Sequence, residues 1–222
     1  MSTSGGGGVN AVAYLVVVFA VFRGVQSVTD TRALILRPRR SALVLWTLVA
    51  VPSAAQFVVP DIYDALSRQP DLVRNEYQVW RLITSAYVQD GGVFGTVTNL
   101  IILYIVAALA VPLWGRLHTG LLFVFGTVLF NVPAVYFYPS EGGGNSGATF
   151  FLATSILALL VVRDRSRTVV AASAAAVVVG VVLIAIGDAH GTAFLGGVVV
   201  GAVVAVAGGP AAGKRGSAQA PT

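Results

Sequence analysis

The amino-acid sequence predicts an all-α, polytopic transmembrane helix bundle, and three observations carry that expectation. Of 222 residues, 56% are hydrophobic and only 10% charged, whereas soluble domains carry roughly 25% charged residues. Several apolar runs approach the roughly 20 residues needed to cross a bilayer. The basic residues gather on alternate connections between those runs, as the positive-inside rule requires of a spanning chain.

The runs follow one another with little polar material between them. Residues 1–8 are rich in Gly and Ser without a basic start, so they read as a flexible N-terminus and no cleavable signal peptide. The first apolar run, 9–22, is short for a span and ends at Arg23. With the basic loop that holds Arg32, Arg37, Arg39 and Arg40, it forms an extra N-terminal unit over 9–40. A membrane core is expected over 41–207. Its first run, 41–59, is closed by Pro60, and the polar segment 61–90 follows. Tyr63, Tyr77, Trp80 and Tyr87 place that segment at the membrane interface. Further spans are expected at 93–113, at 119–138 with a kink at Pro133, at 145–162, 168–186 and 190–207. The tail, 208–222, reads as flexible.

Charge placement orients the seven expected helices. With the Arg23–Arg40 loop in the cytoplasm, alternation puts Arg116, Arg163, Arg165, Arg167, Lys214 and Arg215 on the same side. All but Arg68, Arg74 and Arg81 of the 14 basic residues then lie inside. The amino terminus lies outside, together with Asp61, Asp64, Asp71, Glu76, Asp90, Glu141 and Asp188. The expected site is a cell membrane crossed many times. Should the first run not span, six helices remain and the later orientation is unchanged.

Composition also excludes function classes. Cysteine is absent, which removes disulfides, thiolate metal sites and cysteine nucleophiles. His118 and His190 have no metal-ligand spacing, so no metal and no cofactor are expected. The net charge of +5 belongs to loops at an anionic membrane face, and no nucleic-acid partner is expected. Gly142 to Gly144 is not followed by the lysine of a phosphate-binding loop. A transporter would show an internal repeat and broken helices with polar residues at mid-membrane, and neither is evident. Arginine-rich, lysine-poor usage points to a prokaryotic chain.

Polar residues at membrane depth are costly and tend to be functional. Asn99, Ser146 and His190 all fall near the outer ends of their helices under this topology and can converge on one cavity open to external water. A serine becomes nucleophilic when a base takes its proton, and histidine is the usual base near neutral pH. An amide donor such as Asn99 suits a developing oxyanion. Gly144 lets backbone approach a substrate strand, and Gly147 allows close helix packing. Below His190, Ala193, Gly197 and Gly201 form a small-residue stripe that permits near contact with a neighbour. Asp188 is expected to cap the last helix and to face away from His190. His118 is expected in a cytoplasmic loop.

At these residues the chain resembles the rhomboid family of intramembrane serine proteases. Gly144-Asn145-Ser146-Gly147 matches the family's Gly-x-Ser-Gly motif, and Ala189-His190 matches the pair that heads its last core helix. Phe150 stands where an aromatic packs on the histidine, Trp80-Arg81 matches a Trp-Arg pair of the first loop, and Asn99 matches a polar asparagine. The resemblance covers 41–207 and implies a six-helix core, with the first helix outside it. It implies a Ser146–His190 dyad that cleaves transmembrane segments of protein substrates near the outer face without a cofactor. Asn99, Gly144, Gly147 and Phe150 support the oxyanion and the dyad, and the 61–90 loop braces the bundle laterally. The chain departs from the family at Gly95, where a histidine commonly stands, and at Pro112-Leu113-Trp114-Gly115, which looks more like the catalytically inactive relatives. The alternative expectation is therefore a non-catalytic protein that binds membrane clients.

Overall fold

The computed structural model describes residues 8–208. The expected flexible ends, apart from Gly8 and Gly208, lie outside the described residues, as do Lys214 and Arg215. Among the described residues the chain is helical throughout, with one isolated antiparallel bridge between Arg68 and Gly142 and no longer strand.

Helix α1 covers Gly8–Gln26 and α2 is a single short helix, Thr31–Leu36, inside the basic loop. Asp30 caps α2 by accepting from the Ala33 amide at 3.2 Å. Helix α3, Arg40–Ala55, is shorter than the apolar run that predicts it. Its end is set by Gln56, whose side-chain amide donates to the Gln89 carbonyl and accepts from the Gln89 amide, at 2.8 and 2.9 Å. That reciprocal clamp takes residues 56–59 out of the helix and into turns.

The polar segment over 61–90 folds as α4 (Asp61–Leu66), α5 (Pro70–Asn75) and α6 (Arg81–Thr84), followed by a 3-10 turn over Ser85–Tyr87. Buried Arg81 ties it together, donating to the carbonyls of Asp64 and Ser67 at 2.8 and 2.7 Å and to Gln78 Oε1 at 2.7 Å. Five long helices complete the chain: α7 (Gly92–Trp114), α8 (Arg116–Tyr136), α9 (Ser146–Arg163), α10 (Arg167–Ala185) and α11 (His190–Ala207). All five are long and apolar enough to cross a membrane, while α3 and the stretch Val12–Gln26 of α1 are apolar but shorter. His118 lies in the first turn of α8 rather than in a loop, because α8 starts at Arg116, straight after the turn at Gly115 (φ 80°).

Helix α9 is the axis of the bundle. Every residue from Gly147 to Leu160 is buried, including Thr149, Thr154 and Ser155. Ser155 Oγ donates to the Leu152 carbonyl and accepts from Trp114 Nε1, at 2.7 and 3.1 Å. Helices α7, α8, α11, α10 and α1 pack around it. In lipid, apolar burial supplies little drive for helices to associate, so close packing and hydrogen bonds must do so. Glycines provide that closeness along α11. A Cβ at Gly197 would stand 2.1 Å from Thr154 Oγ1, and one at Gly201 would stand 2.7 Å from Ser155 Cα.

Candidate active site

Ser146 is the first residue of α9, and backbone hydrogen bonds to Arg68, Asp90 and Ser85 hold the loop before it. Arg68 and Gly142 exchange amide-to-carbonyl bonds of 2.7 and 3.0 Å, the Asp90 amide donates to Gly143, and the Gly144 amide donates to Ser85. Arg68 reinforces the loop from inside. It is 4% exposed and donates to Ser140 through Nε (2.8 Å to the carbonyl) and to Asn131 Oδ1 through Nη1 (2.6 Å). Its guanidinium also lies 5.4 Å from the centre of the Phe130 ring.

His190 opens α11, and its Nε2 lies 2.9 Å from Ser146 Oγ. Its Nδ1 lies 2.8 Å from Asp188 Oδ1 and 2.9 Å from the Tyr14 hydroxyl. A carboxylate beside Nδ1 accepts the ring proton there, which leaves Nε2 free to accept from the serine hydroxyl. Three aromatic rings enclose the imidazole: Tyr14 at 4.7 Å, Phe130 at 4.8 Å and Phe150 edge-on at 6.0 Å between centres. Gly147 makes room for this packing, since a Cβ there would stand 2.2 Å from Phe130 Cγ.

Asp188 corrects one expectation. It does accept from the His190 amide, at 2.8 Å, as a capping side chain would. The same carboxylate also reaches Nδ1, because Asp188 precedes the helix and the rule about helix faces does not apply to it. Its Oδ2 accepts from Tyr14 Oη and from Asn10 Nδ2, each at 2.5 Å. Burial alone would raise the Asp188 pKa. The hydrogen bond and charge of His190, with the Tyr14 hydroxyl, outweigh burial and bring it from an ordinary 3.8 to about 2.

Asn99, half-buried on α7, donates to Gln89 Oε1 at 2.9 Å, and Gln89 in turn donates to Ser53 at 3.2 Å. The space over Gly144 draws these groups together. A Cβ at Gly144 would lie 3.7 Å from Ser146 Oγ, 3.8 Å from Asn99 Nδ2 and 3.6 Å from Gln89 Oε1. A small group held there would meet the serine and the amide donor at once. Gly95, one turn before Asn99, offers no side chain, and a Cβ there would meet nothing within 4 Å.

A scan against protein-family models matches none, and a search of the curated proteins finds no match. The site is therefore read from its own geometry. The structure brings Ser146, His190, Gly147 and Phe150 into one cluster, with Asn99 and Gly144 on its serine side. His118 is exposed and stands 6.3 Å from Trp114, in no contact with the cluster that the structure records. Trp80 is exposed. No group of three or more potential metal ligands occurs among the described residues.

Tyr14, Asn10, Arg68, Phe130 and Gln89 escape the sequence reading. The clue for Tyr14 and Asn10 was available, as two hydrogen-bonding residues inside an apolar run whose span was itself in question. Arg68 carried none beyond its place among the few outer-side cations.

Proposed function

We propose that this chain is an intramembrane serine endopeptidase of rhomboid type, which cleaves transmembrane segments near the outer face. The observation that carries this reading is the 2.9 Å pairing of Ser146 Oγ with His190 Nε2, backed on Nδ1 by Asp188. A nucleophile, a base in reach of it and a group that orients the base form the minimal set for acyl transfer.

In the proposed reaction a substrate segment unwinds and lays a peptide bond over Gly144. Ser146 Oγ attacks the carbonyl carbon as its proton passes to Nε2, and the imidazolium is held by the Asp188 carboxylate. The oxyanion meets Asn99 Nδ2 and the Ser146 backbone amide, a first-turn N–H that has no intrahelical acceptor. Nε2 then protonates the leaving amine. Water from the outer side adds to the acyl-enzyme with the same histidine as base, which frees the second product and Ser146. The aromatic wall around His190 keeps these charges in a low-dielectric setting, where preorganised hydrogen bonds count for more than in water.

The rival reading, client binding without catalysis, draws on Gly95 and on the Pro112-Leu113-Trp114-Gly115 corner. At Gly95 the helix presents no second donor beside Asn99. At the corner, Trp114 has a structural task, its Nε1 bonding Ser155 Oγ of the central helix. Proteoliposomes that hold the full chain and a set of single-span reporters separate the two. The endopeptidase reading expects reporter fragments from wild type and none from Ser146→Ala. Reporters that co-purify intact with both proteins establish client binding instead.

A further inference from the structure

The first helix lies outside the six-helix region that carries the resemblance, yet it reaches the candidate site. Helix α1 is seated against α9 and α10, with Val17, Ala20, Val21 and Val25 buried in the core. Gly24 makes the seat close, since a Cβ there would stand 2.7 Å from Leu157 Cδ2. Two turns above Val21, the Tyr14 ring packs at a tilt against both His190 and Phe150, with ring centres 4.7 and 5.2 Å away. One turn further, Asn10 reaches Asp188.

Hydrogen-bond chemistry defines what these two residues do. Asp188 Oδ1 accepts twice from His190, through the backbone amide and the Nδ1 proton. Oδ2 accepts from Tyr14 Oη and Asn10 Nδ2. The carboxylate is thus gripped on one oxygen by α11 and on the other by α1. It cannot turn away from Nδ1 without breaking the bonds to Tyr14 and Asn10. The contact lies behind the histidine, on the Nδ1 side, while Nε2 and the serine face the space over Gly144. Helix α1 therefore approaches the site from the rear and leaves the substrate side clear.

We propose that Tyr14 and Asn10 are positioning residues, through which the first helix holds Asp188 against His190 and makes α1 an integral part of the active site. This inference rests on the serine-hydrolase reading. Neither residue touches Nε2 or the serine oxygen; Asn10 acts through Asp188, and Tyr14 acts through Asp188 and through its own hydroxyl, 2.9 Å from Nδ1. The substrate-binding step is unaffected by them, whereas the chemical step depends on the tautomer and orientation they help to hold.

The test is the kinetics of a fluorophosphonate probe on the full chain in detergent, resolved into the apparent probe affinity, the maximal labelling rate and the fraction of protein labelled at completion. Tyr14→Phe keeps the ring and removes only the hydroxyl. The expected result is a maximal rate about tenfold lower, with affinity and labelled fraction within twofold of wild type. Asn10→Ala is expected to act in the same direction. In an Asp188→Asn background, Asn10→Ala should change the rate less than twofold, because Asn10 reaches the histidine only through that carboxylate and residues that act as one unit are not additive. A wild-type rate in Tyr14→Phe overturns the inference. So does a loss confined to the labelled fraction, which marks a folding role, and so does an Asn10→Ala rate loss that multiplies with Asp188→Asn. A wild type that takes no label overturns the hydrolase reading and this inference with it, whereas a labelled wild type beside an unaffected Tyr14→Phe overturns the inference alone.

Discussion

Asp188 joins the two ends of the chain, since Asn10 and Tyr14 near the start and His190 near the finish all bond its carboxylate. Its pKa is depressed to about 2. A carboxylate whose pKa is lower in the folded state stabilises the fold above its unfolded pKa, and that contribution is lost as pH falls through the folded value. The difference in thermal midpoint between wild type and Asp188→Asn in detergent should therefore be larger at about pH 5 than at about pH 2. It should shrink between the ordinary 3.8 and about 2. A difference unchanged down to pH 2 would mean that the carboxylate charge is not what the fold uses. Gly147 offers a steric prediction. A Cβ there would stand 2.2 Å from Phe130 Cγ, so Gly147→Ala must displace that ring, which packs on His190. Overpacking of this kind costs about 1–3 kcal/mol, and the melting temperature should fall together with the labelling rate. At Gly95 the space is open, so Gly95→His should fold and, as a second donor on the face that carries Asn99, raise the labelling rate. A variant that melts as wild type but labels no faster would show that donors there do not limit the reaction.

Among the elements, the loop from Ser140 to Asn145 depends on Arg68 more than on any helix. The guanidinium bonds Ser140 and Asn131 and covers Phe130, so it supports both the approach to Ser146 and the ring packed on His190. Arg68→Ala would leave the Asn131 and Ser140 oxygens unpaired in a buried site, at a cost of about 1–3 kcal/mol for each such group. Thermal melting should show a clear loss, and Arg68→Lys should recover only part of it, because one ammonium cannot span the same fork of acceptors. At this scale the sequence was most legible. The long apolar helices follow from uninterrupted runs, and α11 starts at His190 as its run predicts. The end of α3 was not legible, because a local pattern continues through residues 56–59 and only a distant partner, Gln89, withdraws them. In the same way, Gly147 and the small-residue stripe below His190 announced a close α9–α11 contact. The Asp188 carboxylate escaped because helix-face geometry was applied to a residue outside the helix. Tyr14, Asn10 and Arg68 escaped because their partners are more than 60 positions away.

The whole molecule reads as a bundle built for lipid. Phe94, Val97 and Ile101 of α7, Val178 and Val181 of α10, and Val199 and Val203 of α11 all present apolar side chains outward. Such faces are aggregation liabilities in water and ordinary surfaces in a bilayer. Buried polar side chains, among them Arg68, Gln89, Asn131 and His190, gather around Ser146 and in the loops that brace it. The natural absence of cysteine makes the proposed sidedness directly measurable. In intact cells, an impermeant maleimide should label Asp61→Cys, whereas Asp164→Cys should react only after the membrane is opened. The reverse pattern would invert the bundle and set the site toward the cytoplasm. The most direct test of the central claim, an activated serine, is the identification of the residue that a fluorophosphonate modifies in the purified full chain. The adduct should map by mass spectrometry to the peptide that carries Ser146, and both Ser146→Ala and His190→Ala should abolish it. A folded, monodisperse wild type that takes no label, or a label that persists in Ser146→Ala, would contradict it.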